Sequence, residues 1–526
     1  MKFIQGIPRS QAVLFATCLD DAIEADHEIR LIDAFVDSLK LAEYGFKLDH
    51  VENGRPAYHP ATLLKLFIYG YLNRIRSSRQ LEKECKRNIE IMWLINSLQP
   101  DHNTIANFRK DNAKAIKKVF RTTVQVAKHF ELIGGSLPAG DSTRLRAQNS
   151  KKNNFNEKKI QRHLAYIERR LEEYTKALSE TDGDVEERQK IEEKIASHQQ
   201  RRQGYEQLEK ELKASGENQI SLSDPESRLI MIRANISEVA YNIQTTVDAQ
   251  HCLPIDYQVT NQNDAKAMGR MVRRAKSIVG NSDVTVLFDK GYHTGSELAV
   301  AQGLGMTTLV AIPAVPRTSQ SPDPAYNVAC FQYDEAMDTY QCPEGHTLAT
   351  NGNWYNGEKY RFKQYKTSAC QSCRVKSLCS TARYGKIVQR SEYTPAVEQN
   401  KKWLMENYQL YKQRQAIVEH PFGTIKRQWG FDYILTKKGM QRASADVGFI
   451  FTAYNLRRII NIIGFKALMA YFNACIAKIA CYLSSCLSSR TLSHFRNLVS
   501  FQFRRSIIFL SFTLLLKSNL KAASSF

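Results

Sequence analysis

The spacing of hydrophobic positions changes along the chain, and in the first part it is that of helices. Apolar residues recur every three or four positions across Ala61–Leu72, directly after Pro60, which suits the first turn of a helix. Ser77–Glu82 offers serine caps and an acidic residue in the first turn of a second helix. A third helix is predicted across Ile105–Phe120, so we expect an all-α segment over residues 1–133.

The middle of the chain has the two-residue alternation and short apolar runs that are typical of β-strands. Two adjacent antiparallel strands, a basic amphipathic helix and two further strands are predicted, in the order Ala240–Asp248, Leu253–Thr260, Asp264–Val279, Val284–Phe288 and Thr307–Pro313. This order of strands and helices predicts an α/β domain. We place the domain over residues 134–153, 217–325 and 386–463, with two insertions between these parts.

The first insertion, residues 154–216, has the pattern of a helical hairpin. Its apolar residues form a narrow seam on both sides of a turn at Thr181–Asp184. The hairpin is a spacer, a dimerisation arm, a brace for the DNA backbone or simply a solvated hairpin. At the other end of the chain, residues 464–526 carry an apolar stretch, Ser506–Leu516, which is shorter than the roughly 20 residues that span a bilayer. We expect a helical extension there and no membrane partner.

The charge of the chain points to a polyanionic partner. The formal net charge is +21 over 526 residues, and basic residues cluster in segments such as Arg270–Arg274. Lysines and arginines at phosphates release counterions, so a surplus of this size favours nucleic acid as the partner. The first residues do not resemble a signal peptide, and we expect a cytoplasmic bacterial protein that acts on the nucleoid.

Three acidic residues are the candidate catalytic groups. Asp141 follows small and apolar residues, Asp289 ends the apolar run that begins at Val284, and Glu419 lies in a segment of helical character. An aspartate at a strand end is more often a turn residue or a helix cap. Two strand-borne aspartates and one helix-borne glutamate nevertheless suit a site for two Mg²⁺ or Mn²⁺ ions, which prefer oxygen ligands and act on phosphodiesters in pairs.

Four cysteines predict a structural zinc site within residues 326–385, the second insertion. Cys342 opens a Cys-Pro-x-Gly turn, and Cys370, Cys373 and Cys379 follow after a polar, turn-rich segment. Paired thiolates separated by a hairpin are typical of tetrahedral zinc modules. The alternative is a set of buried free cysteines, and Cys330 and His346 could replace one of the four ligands.

The motifs around these residues resemble one family. The chain is similar to the DDE transposases of bacterial insertion sequences, in the branch with a Tyr-Arg-Glu-Lys signature and an InsH-type helical N-terminal domain. Besides the acids, the resemblance rests on Gly54–Pro60, Tyr69–Tyr71, Ser77–Glu82, Met92–Leu94, Pro100–Thr104, Phe108–Arg109, Tyr241–Gln244 and Tyr454–Arg457.

This resemblance implies roles for individual residues. Asp141, Asp289 and Glu419 would be the catalytic triad and hold Mg²⁺ or Mn²⁺, and the signature residues that would handle DNA are Tyr411, Arg414 and Lys426. The spacing from Arg414 to Glu419 is one residue longer than in the commonest form of the signature. Further candidate DNA contacts near these motifs are Arg76, Arg79, Arg427 and Trp429. Trp429 either stacks on an unpaired base or packs as a core aromatic at a helix end.

The sequence therefore predicts a ribonuclease-H-like DDE core with an all-α N-terminal DNA-binding domain, a helical hairpin and a small zinc-ribbon-like insertion. The predicted activity is metal-dependent cleavage at the terminal inverted repeats of an insertion sequence and strand transfer into target DNA. Cleavage of two ends favours a homodimer. The alternatives are a decayed transposase that only binds DNA, a ribonuclease-H-like nuclease without transposition, and, for the N-terminal helices, a packing domain that does not touch DNA.

Overall fold

A computed structural model describes residues 18–48, 56–181, 185–233, 236–280, 283–436 and 438–488. The N-terminal part is helical, as the sequence predicts. Its seven helices are α1 Glu28–Asp37, α2 Leu41–Tyr44, α3 Pro60–Leu72, α4 Ser78–Glu84, α5 Ile89–Leu94, α6 His102–Asp111 and α7 Ala113–His129. Helix α3 begins at Pro60, where His59 caps it by accepting a hydrogen bond from the Ala61 N–H. Nine of the thirteen residues of α3 are buried, so this helix lies in the middle of the helical layer.

The predicted third helix is in fact two helices. Asn112 separates α6 from α7, with backbone angles of φ −108° and ψ 29°, which are outside the α-helical region. Its side-chain amide donates to the Phe108 carbonyl at 2.8 Å, the same carbonyl that accepts from its backbone N–H at 3.2 Å. An asparagine side chain that competes with the backbone in this way ends a helix, and apolar spacing alone does not reveal it.

A mixed sheet of six strands forms the second part of the fold. The strands are β1 Pro138–Arg146, β4 Arg228–Arg233, β5 Ile236–Asp248, β6 Pro254–Thr260, β7 Thr285–Phe288 and β8 Thr307–Val310. β5 pairs antiparallel with β1, β4 and β6, whereas β1, β7 and β8 run parallel. Leaving out β4, the strand order is β6-β5-β1-β7-β8. Helix α10 (Met268–Val279) leads from β6 to β7, and helix α11 (Gly295–Gly303) connects the parallel strands β7 and β8.

Two insertions interrupt this sheet. The first is a hairpin of long helices, α8 Glu157–Glu180 and α9 Val185–Ser215, which stands on the short strand pair β2 Asn154–Phe155 and β3 Ile220–Ser221. The second holds two small antiparallel sheets and the short helix α12 Lys376–Cys379. One sheet is formed by β9 Gln332–Asp334, β10 Thr339–Gln341 and β11 Thr347–Ala349. The other is formed by β12 Tyr355–Asn356, β13 Arg361–Tyr365 and β14 Val388–Ser391. The domain boundaries drawn from the sequence remain predictions.

The remaining helices return to the sheet and then to the N-terminal layer. They are α13 Thr394–Glu406, α14 Tyr408–Tyr411, α15 Gln413–Gly423, a π-helix at Thr424–Gln428, α16 Met440–Ile463 and α17 Phe465–Ser488. Pro421 lies inside α15, and the wider π-helix begins three residues later. No single helix in the described ranges is long and apolar enough to cross a membrane. Helices α16 and α17 pass that test only together, as a pair bent by 116°.

Helix α16 joins the N-terminal helices to the sheet in one hydrophobic core. Phe449 of α16 stacks on Phe67 of α3 with ring centroids 4.8 Å apart. Tyr257 of β6 contacts both Phe120 of α7 and Phe451 of α16. The helical layer and the sheet therefore share apolar packing and cannot separate without exposing it to water.

A buried carboxylate, Asp446 of α16, lies at the centre of this junction. Its Oδ2 accepts hydrogen bonds from Arg76 at 2.8 Å and from the Leu435 N–H at 2.7 Å. The Tyr71 hydroxyl donates to its Oδ1, and Arg109 lies 3.6 Å from the same atom. Burial alone would raise the pKa of Asp446, but the charges of Arg76 and Arg109 outweigh burial and hold it below its ordinary value.

This network changes the interpretation of Arg76. We predicted it as a DNA contact, but it is only 5% exposed and is bound to Asp446 and to the Tyr433 carbonyl. Its guanidinium also lies 4.5 Å from the ring centroid of Phe431. A DNA phosphate cannot reach a guanidinium in this position, and we withdraw Arg76 as a candidate DNA contact. Arg79, by contrast, is exposed.

The Asp446→Asn variant should lower the free energy of unfolding by about 3–5 kcal/mol, because it leaves two buried arginines without their counter-charge. Urea denaturation followed by circular dichroism measures this loss. Asp432→Asn is the matched control, since it breaks another aspartate–arginine pair whose side chains are 44% and 49% exposed. The control should change stability by no more than about 1 kcal/mol.

The loss should also depend on pH. The folded pKa of Asp446 lies below the ordinary 3.8, so its contribution to stability is present above that pH and is lost as the pH falls through the folded value. Wild type and Asp446→Asn should therefore differ most near neutral pH and converge in acid. Equal losses for Asp446→Asn and Asp432→Asn at pH 7 would contradict this account.

Candidate active site

The pairing of two parallel strands brings Asp141 and Asp289 together. In the β1–β7 pair, Ala139 lies opposite Leu287, and each aspartate is two residues further along its strand direction. Side chains two residues apart point to the same face, and neighbouring strands lie roughly 5 Å apart, so the two carboxylates are neighbours on one face. Gly140 allows this close packing. A Cβ at that position would lie 2.1 Å from a ring atom of Phe288.

The two aspartates differ in their surroundings. Burial, together with the charge of Asp289, raises the pKa of Asp141 to about 6 against the opposing effects of Arg414 and the Ser142 N–H. Asp289 lies at the end of β7 and accepts a hydrogen bond from the Gly291 N–H at 2.8 Å, which closes a tight turn. Two carboxylates that repel each other in a partly buried place form a site that favours a cation.

Arg414 and Tyr411 reach this site from the helices over the sheet. The Arg414 Nη1 lies 3.3 Å from the Asp141 Oδ2. The Tyr411 hydroxyl interacts electrostatically with the charges of Arg414, Asp289 and Asp141. Ile417 and Val418 of α15 are buried against the same face of the sheet and hold the helix there. The arginine of the signature thus lies beside the first aspartate in spite of its unusual spacing from Glu419.

Glu419 lies elsewhere on α15. It is exposed, and its Oε1 accepts a hydrogen bond from Gln415 at 2.9 Å. A step of five residues from Arg414 turns a helix by about 140°, so the two side chains leave α15 in different directions. In the described part of the chain, no three His, Cys, Asp or Glu side chains are grouped so that they could hold a metal ion. Glu419 therefore does not form such a group with the two aspartates.

The other predicted DNA-handling residues lie near the same helix. The Lys426 Nζ is 3.1 Å from both the Thr143 Oγ1 and the Arg144 carbonyl, so it ties the π-helix to β1. Arg427 is exposed. Trp429 is half-buried, with its ring centroid 5.6 Å from that of Phe431 and 6.2 Å from that of Tyr454. These contacts favour the interpretation of Trp429 as a core aromatic.

Sequence reasoning missed three residues behind the aspartates: Asp264, Gln244 and Tyr292. The Gln244 amide donates to the Asp264 Oδ1 at 2.7 Å, and the Tyr292 hydroxyl donates to Gln244. Gln244 belongs to the Tyr241–Gln244 motif and Tyr292 to the Asp-Lys-Gly-Tyr run after β7, so both motifs were visible. Nothing in the sequence shows that they meet.

The four predicted zinc ligands line one cavity but do not form a group that could hold a metal ion as they stand. Cys342, Cys370, Cys373 and Cys379 all lie around a space of about 20 Å³ in the second insertion, as does His346. Burial raises the pKa of the Cys379 thiol, and the other three cysteines raise it further. Cys330 does not line this cavity; it is exposed, and its Sγ lies 3.8 Å from the Pro324 carbonyl.

Comparison with known proteins assigns two parts of the chain. Residues 17–111 match a family described as a transposase domain (DUF772), and residues 341–460 match a transposase DDE domain. The first match includes most of the N-terminal helices, and the second includes the cysteine cavity, Arg414, Glu419 and Lys426. Both aspartates lie between the two matches.

Two further comparisons add little. Among curated proteins there is no significant match. Among solved structures, the chain is similar to the piggyBac transposase in the cryo-EM structure of its synaptic complex with hairpin DNA, over 89% of this chain and 80% of that chain. The identity is 10% and the TM-score 0.27, which supports no argument about this chain. The two family matches support an insertion-sequence DDE transposase.

Proposed function

We propose that this transposase cleaves DNA at the ends of its insertion sequence by metal-dependent chemistry and joins those ends to target DNA. The observation that carries this proposal is the pair Asp141 and Asp289 on adjacent parallel strands at the middle of the sheet. The order β6-β5-β1-β7-β8, with β5 antiparallel and the last three strands parallel, supports a ribonuclease-H-like core. The exposed Arg79 and Arg427 and the net charge of +21 support DNA as the substrate.

The two aspartates fit a divalent cation. Both offer carboxylate oxygens, the donors that Mg²⁺ and Mn²⁺ prefer, and their mutual repulsion would be relieved by a positive charge between them. We propose Asp141 and Asp289 as ligands and Glu419 as the third acid of the triad. Bound Mg²⁺ or Mn²⁺ would supply Lewis-acid stabilisation of the charge that develops on the phosphate oxygens.

The side chains around the aspartates have separate tasks in this proposal. Arg414 neutralises Asp141 and lies where a phosphate oxygen bound at the aspartates could accept its second hydrogen bond. Lys426 fixes the π-helix against β1, which sets the position of α15 above the site. Tyr411 shields one side of the carboxylate pair from water, since it packs with Ile417 and Val418.

The same proposal includes the assembly and its location. Paired cleavage of the two ends of one element favours two active sites, and we propose a homodimer that binds the two terminal inverted repeats. Because the proposed substrate is DNA, the proposed location is the bacterial nucleoid.

We also propose that the cysteine cavity holds a structural Zn²⁺ ion. The type of donor fits, because four cysteine thiols line one small cavity, although they would have to draw closer together to hold the ion. Small sheets with few buried residues gain most of their stability from such a cross-link. The ligands would be Cys342, Cys370, Cys373 and Cys379, with His346 next to them.

One observation favours a second candidate function. Glu419 is exposed, accepts a hydrogen bond from Gln415 and does not form a metal-holding group with the aspartates, as expected of a transposase that binds DNA but no longer cuts. In that case the basic surface would still bind the terminal repeats. The two functions differ in whether the protein nicks DNA in the presence of Mg²⁺ or Mn²⁺.

The Asp289→Asn variant should lower the rate of nicking by at least about 100-fold, because it removes a charged ligand at the reacting phosphate. The measurement is cleavage of labelled DNA that carries the flanking sequences of the gene, in Mg²⁺ and in Mn²⁺. DNA binding should change by less than about threefold. The exposed Asp26→Asn serves as the control and should cut at the wild-type rate.

Glu419→Gln tests the third acid in the same assay. If Glu419 joins the aspartates when DNA binds, the variant should lose nicking as severely as Asp289→Asn while it retains DNA binding. A Glu419→Gln protein that cuts at the wild-type rate would remove Glu419 from the triad. A wild-type protein that binds the ends but cuts in neither metal would establish the second candidate function.

Cys373→Ser should abolish stoichiometric zinc binding. Atomic emission on the purified full chain should find about one zinc per chain in the wild type and almost none in the variant. Cys330→Ser is the matched control, because Cys330 belongs to the same insertion but lies outside the cavity. Zinc-free wild-type protein, or equal zinc in Cys373→Ser, would overturn the zinc proposal without affecting the nuclease.

A further inference from the structure

We propose that Asp264, Gln244 and Tyr292 form a hydrogen-bonded brace behind the two aspartates and set the distance between them. The three residues would be positioning residues that touch neither metal nor DNA. This inference rests on the proposed metal site at Asp141 and Asp289.

The brace begins at Asp264, which fixes the orientation of Gln244. The Asp264 Oδ1 accepts hydrogen bonds from the Gln244 amide at 2.7 Å and from the Asn242 amide at 2.8 Å. With its nitrogen held there, Gln244 turns its Oε1 towards Tyr292, and the Tyr292 hydroxyl donates to it. The carboxylate therefore decides which end of the Gln244 side chain faces the tyrosine.

The brace links β5, the strand that pairs with β1, to the segment that follows β7. Gln244 of β5 lies opposite Ser142 of β1, and the Ser142 N–H donates to the Asp141 Oδ1 at 2.7 Å. Gln244 and Tyr292 thus connect the partner strand of Asp141 to the segment that follows Asp289.

The turn after Asp289 packs against the other end of the brace. A Cβ built on Gly291 would lie 3.0 Å from the Asp289 Oδ1 and 3.6 Å from the Asp264 Oδ2. Both carboxylates therefore approach this glycine closely, and a larger residue would push against them. Tyr292, the next residue, is completely buried and also packs on Phe288 of β7.

The charges around Tyr292 keep its hydroxyl a hydrogen-bond donor. Burial and then the nearby carboxylates of Asp264, Asp141 and Asp289 raise the pKa of Tyr292 well above its ordinary range. Gln244 is 1% exposed, so its two hydrogen bonds are not replaced by water if one partner is removed. A buried network whose members are all satisfied holds one geometry, which two metal-binding carboxylates need.

Tyr292→Phe is the first test, because it removes a single hydroxyl and keeps the ring in its pocket. Partners behind metal ligands typically contribute about 10–100-fold to affinity or activity. We therefore expect Mn²⁺ binding, measured by electron paramagnetic resonance without DNA, to weaken by about tenfold or more. The Mn²⁺ concentration that half-saturates nicking should rise in parallel. Tyr257→Phe is the control, since that buried tyrosine donates to the Ser444 carbonyl away from the site.

Variants of Asp264 separate positioning from packing. The hydrogen bonds from the Asn242 and Gln244 side-chain amides both end on the Asp264 Oδ1. Asparagine keeps this oxygen, so Asp264→Asn should keep near-wild-type Mn²⁺ affinity. Asp264→Leu keeps the volume without the acceptor and should behave like Tyr292→Phe. Thermal melting of each variant shows that the fold persists.

The outcomes distinguish the two proposals. If the wild type binds Mn²⁺ and cuts DNA while Tyr292→Phe matches Tyr257→Phe in both assays, the brace is overturned and the proposed function stands. If the wild type neither binds Mn²⁺ nor cuts, the metal site itself is overturned, and the brace with it. Weakened Mn²⁺ binding in Tyr292→Phe and Asp264→Leu, with near-wild-type binding in Asp264→Asn and Tyr257→Phe, supports the brace.

Discussion

The buried carboxylate of Asp446 is the interaction on which the rest of the structure depends. It binds Arg76 and Tyr71 of the N-terminal layer and the backbone of the segment that follows the π-helix. A charge in the protein interior is tolerated only when such partners surround it. The N-terminal helices, α16 and the end of the π-helix segment are therefore positioned relative to one another by one group. Helix α15, which lies over the aspartates, is positioned by this arrangement.

The sequence was most informative about features that depend on nearby residues. The strands at Ala240–Asp248 and Leu253–Thr260 are close to β5 and β6, and the run before Asp289 is β7. Apolar alternation and the turn residues between strands determine these elements locally. The meeting of Asp141 with Asp289 then follows from the parallel pairing of their strands, which the resemblance to DDE transposases had implied.

Features that depend on distant partners could not be predicted in this way. Arg76 near a helix joint looks the same in sequence whether it binds DNA or Asp446, which is 370 residues away. Asp264 and Tyr292 act through their hydrogen bonds with Gln244. Their spacing in the sequence does not show that the folded sheet brings the three residues together. The cysteines were an exception, because thiols at short intervals in the sequence have few structural uses. All four cysteines line the cavity.

Glu419 and Lys426 show why a helical period has to be checked against the backbone. They are seven residues apart, and two turns of regular α-helix would place them on one face. Pro421 has no N–H to donate, and the helix widens to a π-helix at Thr424, so the angular relation between the two residues is no longer that of an α-helix. Lys426 turns to β1 while Glu419 remains at the surface beside Gln415. Lys426 holds the far end of this segment at β1, and Arg414 holds the near end at Asp141. The change of helix type lies between these two contacts, so it separates the anchored lysine from the turn that carries Glu419.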